Sequence, residues 1–143
     1  MIVDKIYDYL VKPLRKKILV GMDLEHELEK DSYLARYDGS IEFFEQHLVS
    51  MGFVRNPFSW LKTAEYGLEE ASWVKRNSLF SHRQLHVTLQ YHDGDTWIYV
   101  HEEPNTFRHP IKHIRANDVN IRKGKNMMKE QLDGNVDKQR VYY

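Results

Sequence analysis

The chain contains no cysteine. Disulfides, thiolate metal sites and cysteine nucleophiles are therefore excluded, and any chemistry falls to histidine, carboxylates, hydroxyls, lysine or arginine. The same absence favours a cytoplasmic address. No apolar run approaches the roughly 20 residues of a membrane span, and Asp4 and Lys5 stand where a signal peptide would need its apolar stretch. No membrane partner is expected. Net charge is also lacking, since 21 Lys and Arg balance 21 Asp and Glu, and the chain as a whole has no polyanion-binding signature. Proline and glycine are sparse, at four and seven residues, and neither a repeat nor a Pro/Gly-rich linker divides the sequence. Gly-rich phosphate loops and nucleophile elbows are absent.

What remains is material for one folded unit. At 143 residues, with 41% apolar and 13% aromatic side chains, such a chain can bury about two-thirds of its unfolded surface. A single α+β domain over 1–134 with a mobile tail over 135–143 is expected. Ile2, Val3, Ile6, Tyr9, Leu10, Leu14 and Ile18 recur at three and four, the spacing of one helical face, with Pro13 as a kink or break. Residues 22–33 read as a short acidic helix or a solvated loop. Ser40 caps a clear helix whose inner face carries Ile41, Phe44 and Leu48, and Gly52 suits the left-handed position after it, folding Phe53 back onto Leu48.

From Phe53 to Ser78, aromatic and β-branched residues spaced by turn formers predict two strands. In Arg83–His92 the alternation of Leu85, Val87, Leu89 and Tyr91 with polar residues is strictly period two, the mark of a half-buried strand. Asp93-Gly94 signals a hairpin returning through Thr96–Glu103. The expected sheet is mainly antiparallel, with about four strands, N-terminal helices before it and a C-terminal helix after it. That last helix is capped by Asp118 or Asn120, turns Ile121, Met127, Met128 and Leu132 inward, and is closed by Gly134.

Five of the eight histidines lie between His86 and His113. Their chemistry depends on the hairpin register. A two-residue type I′ loop at Asp93-Gly94 sets His86 opposite His101, with Cβ atoms within roughly 5 Å, whereas a turn with a glycine bulge sets His86 opposite Val100. Under the first register His86 and His101, with His109 and His113 spaced at i and i+4, form a candidate site for a divalent metal such as zinc. The same His86 and His101 are candidates for acid–base catalysis, with Glu102 or Glu103 nearby. His86-Val87-Thr88 resembles one copy of the His-x-Thr strand motif of the two-histidine phosphoesterases, which act through a pair of such motifs. A second copy is absent, and these residues identify no family.

Charge is split along the chain: Met22 to Glu45 holds eight acids against Lys30 and Arg36, and Pro104 to Lys129 holds seven bases against Asp118. Arg108, Lys112, Arg115, Arg122, Lys123 and Lys125 form a basic run that could neutralise phosphates, with Trp97 and Tyr99 as candidate stacking residues if they face outward. The same run could meet the acidic half, within one chain or in a homodimer. Two functions are therefore expected: a small binding domain whose basic C-terminal surface meets nucleic acid or protein, and a His-dependent, metal-assisted hydrolase of phosphodiesters or related substrates.

Overall fold

The computed structural model describes residues 5–6, 9–10, 26–27, 30–55, 62–64, 67–68, 71–78, 81–105 and 119–143. Its strands are β1 (His26–Glu27), β2 (Tyr33–Tyr37), β3 (Val54–Arg55), β4 (Lys62–Ala64), β5 (Gly67–Leu68), β6 (Ala71–Lys75), β7 (Arg83–His92), β8 (Asp95–Pro104) and β9 (Val141–Tyr142). Its helices are α1 (Ile41–Ser50) and α2 (Ile121–Asn135). Six strands form an antiparallel sheet in the order β3-β6-β7-β8-β2-β9, and β1, β4 and β5 form a smaller one. The fold is α+β. The main sheet has more strands than the four expected because β3 and β9 are two-residue edges and β2 starts at the end of the acidic stretch.

The centre of the sheet is the β7–β8 hairpin. Asp93 and Gly94 have φ of 50° and 81°, the pair of positive values that a type I′ turn requires. This loop sets His92 against Asp95, and counting back places Thr88 opposite Tyr99 and His86 opposite His101. Leu85, Val87, Leu89, Ile98 and Val100 then share one face and join Phe44, Leu48, Met128 and Leu132 in the core. The polar residues of β7 were expected to face water. They are buried as well, from Gln84 to Gln90.

Two helices cover the apolar face. α1 begins where Ser40 Oγ accepts from the Phe43 amide at 3.2 Å. It ends as the sequence predicts, with Gly52 at φ 88° and the Gly52 and Phe53 amides donating to Val49 and Leu48. Glu45 anchors it to the sheet, accepting from Trp73 Nε1 at 2.9 Å and pairing with Arg55 at 3.2 Å, while the Arg55 guanidinium lies over the Trp73 ring. α2 is capped by Asn120, whose side chain accepts from the Lys123 amide. Gly134 lies inside this helix rather than closing it.

Residues 135–143, expected as a mobile tail, finish α2, make a 3-10 turn over Lys138–Arg140 and pair as β9 with β2, burying Val136 and Val141. The N-terminal helix expected over 2–18 lies mostly outside the described residues; within it, 5–6 and 9–10 are helical, and Ile6, Tyr9 and Leu10 are exposed. Among the described residues no helix is long and apolar enough to cross a membrane.

Gly124 marks where α2 crosses β8. A Cβ built there would sit 2.6 Å from the backbone Cα and C of His101 and 2.7 Å from the Glu102 amide. Helix propensity alone favours Ala over Gly by about 1 kcal/mol, but a backbone neighbour cannot rotate aside. We predict that Gly124→Ala destabilises the protein by about 1–3 kcal/mol, measured by urea unfolding; an unchanged or raised midpoint would show that α2 has room to move.

Candidate metal centre

Because side chains alternate along a strand, the face opposite the core carries Gln84 and His86 of β7 and His101 and Glu103 of β8. The register opposes them directly, His86 to His101 and Gln84 to Glu103. Three of these side chains converge. His86 Nδ1 lies 3.2 Å from His101 Nε2, His101 Nε2 lies 2.9 Å from Glu103 Oε2, and His86 Nδ1 lies 3.3 Å from Glu103 Oε1. The imidazole planes meet nearly edge to face, at 82°. Burial is deep, with side-chain exposures of 0% for His86, 5% for Glu103 and 9% for His101.

Two members of this trio, His86 and Glu103, are held from behind by neutral polar side chains. Ser72 Oγ lies 2.7 Å from His86 Nε2. Gln84 Nε2 donates to Glu103 Oε1 at 2.7 Å, and Arg76 Nε donates to Gln84 Oε1 at 2.8 Å and to Asn105 Oδ1 at 3.1 Å. Asn105 is in turn fixed where β8 ends, its side chain donating to the Ser81 carbonyl and its amide to the His82 carbonyl. Burial draws the Arg76 guanidinium below its usual pKa, and the negative charge of Glu103 opposes that shift.

Separations of 2.9, 3.2 and 3.3 Å link four potential ligand atoms, one nitrogen of each imidazole and both oxygens of Glu103. Ligand atoms bound at 2.0–2.1 Å stand about 3.3 Å apart around a tetrahedral ion and about 2.9 Å apart around an octahedral one. His86, His101 and Glu103 are buried side chains whose ligand atoms lie within reach of one ion. Two imidazoles and a carboxylate suit zinc and other borderline divalent metals.

Of the metal ligands expected from sequence, His86 and His101 meet, and His109 and His113 lie outside the described residues. Glu103, named there as an acid–base candidate, joins the pair, whereas Glu102 is on the core face, bonded to Arg83 at 2.9 Å and Lys123 at 2.7 Å. Ser72 and Gln84 are not distinguished by sequence because a polar residue on a strand's second face looks the same whether it is wet or buried, and Arg76 and Asn105 lie one residue past the ends of β6 and β8.

In the basic run, Arg108, Lys112 and Arg115 also lie outside the described residues. Arg122 and Lys123 are exposed on α2, Lys125 is half-buried, and Lys123 is committed to Glu102. Trp97 is half-buried against Tyr33 and His92, and Tyr99, a candidate stacking residue, is only 2% exposed. Tyr99 therefore offers no outward face for a base.

The two adjacent carboxylates should differ sharply on truncation. Glu103→Ala leaves the Gln84 amide and imidazole N–H groups buried without their acceptor and should cost about 3 kcal/mol or more. Glu102→Ala releases cations that are partly solvated and should cost about 1 kcal/mol. Chemical denaturation of both variants without added metal checks the order, and equal losses would refute it.

No family model, curated protein or solved structure matches the chain.

Proposed function

We propose that the chain binds a divalent metal ion, zinc foremost, through His86 Nδ1, His101 Nε2 and Glu103, and that it is a metal-assisted hydrolase. The supporting observation is the cluster of His86 Nδ1, His101 Nε2 and the two Glu103 oxygens, linked by separations of 2.9–3.3 Å and buried on the second face of the hairpin. Three protein ligands, two of them His and one a carboxylate, match the donor number of catalytic zinc sites, which keep a fourth position for water or substrate. A bound ion of this kind activates water and polarises a carbonyl or phosphoryl oxygen. His101 is the most exposed of the three, at 9% of its side chain. The basic run offers less support for a nucleic-acid domain, with Tyr99 buried and Lys123 engaged.

Zinc should raise the melting temperature by several degrees over the chelated protein, since ligand at 100 times its Kd adds about 2.7 kcal/mol of stability. His101→Ala and Glu103→Gln should each abolish the shift. It should also vanish on acidification, because an imidazolium cannot ligate. Hydrolysis of a nitrophenyl phosphodiester by the zinc-loaded protein, lost in His101→Ala, tests the catalytic half. No zinc shift in the wild type, or an equal shift in His101→Ala, would refute the metal centre.

A further inference from the structure

His86 is the only member of the trio presented through Nδ1, the nitrogen next to its Cβ, while His101 is presented through Nε2. A neutral imidazole has one bare nitrogen and one N–H. For Nδ1 to be bare toward an ion, Nε2 must carry the hydrogen, and a buried N–H without an acceptor costs stability. On β6 the residue directly across from His86 is Val74, whose side chain has no polar atom to offer. The acceptor comes instead from the diagonal neighbour. Ser72, opposite Thr88, reaches back with Oγ to 2.7 Å from Nε2 and is itself 3% exposed.

We propose that Ser72 is a positioning residue that selects the nitrogen of His86 facing the ion, accepting from Nε2–H when the metal is bound. The inference rests on the metal-centre reading. A hydroxyl suits this place because it both donates and accepts. In the metal-free protein, where His86 Nδ1 stands 3.3 Å from Glu103 Oε1, the ring can hold its hydrogen on Nδ1 for that carboxylate while Ser72 donates to Nε2. Metal loading moves the hydrogen to Nε2, and the hydroxyl turns from donor to acceptor at the same ring nitrogen. Alanine supports neither arrangement.

The test combines competition titration with zinc and nitrogen-15 NMR of the imidazoles in the whole protein. Ser72→Ala should bind zinc about 10- to 100-fold more weakly than wild type, the usual effect of losing an outer partner, and Ser72→Thr should recover most of that affinity. In the zinc-loaded wild type, His86 should carry its hydrogen on Nε2. Absence of zinc binding by the wild type removes the metal centre itself, and this proposal with it. Zinc binding by folded Ser72→Ala equal to wild type overturns this proposal alone, as does a loaded His86 protonated on Nδ1, a result that needs no variant to fold. Covalent labelling of Ser72 by a fluorophosphonate would make it a nucleophile and also overturn the proposal.

Discussion

The register of one hairpin decides what this protein's histidines can do. Asp93 and Gly94 both adopt positive φ, which closes the β7–β8 turn in two residues and matches the twist of the strands it joins. From there the pairing runs without interruption to Arg83 and Pro104, and His86 arrives opposite His101. A slip of one residue would put Val100 there and turn every side chain of a strand to the other face. The core and the candidate site are therefore fixed by the same constraint. Leu85, Val87 and Leu89 cannot face the helices unless Gln84 and His86 face the other way.

The second face is where the fold departs from an ordinary two-layer arrangement. A sheet with helices on one side commonly leaves its other side to water, yet β7 and β8 bury imidazoles, a carboxylate and an amide there. Such a set survives because its members bond one another, from Ser72 through His86, His101 and Glu103 to Gln84, Arg76 and Asn105. Well-packed apolar residues would often be no less stable in its place. The proposed cation would add stability only to the folded state. On the core face, α2 passes close to the backbone of His101 and Glu102 at Gly124.

Much of this was legible beforehand where local rules suffice. The Ser40 cap, the Gly52 and Phe53 helix end, a cap at Asp118 or Asn120, of which the structure uses Asn120, and the inward Met128 and Leu132 follow from side-chain chemistry within a turn or two. So does the α+β class. The hairpin was legible but its register was not, since Asp-Gly accepts both a two-residue loop and a bulged turn until the twist of the whole sheet chooses. β2 was hidden because Tyr33–Tyr37 is short, carries Arg36 and follows a run of acids; its strand character comes from pairing with β8 and β9, partners distant in sequence. Glu103 could be recognised as a candidate but not assigned to the histidine face, because that assignment is the register again. The burial of Gln84 and Ser72 depends on tertiary packing, which period-two alternation does not record.

The metal centre is tested most directly by anomalous diffraction at the zinc edge from crystals of the loaded protein. A peak about 2.0–2.2 Å from His86 Nδ1, His101 Nε2 and a Glu103 oxygen is the expected result. No peak between these side chains, with the two imidazoles and the carboxylate still bonded to one another while zinc sits elsewhere, would contradict it.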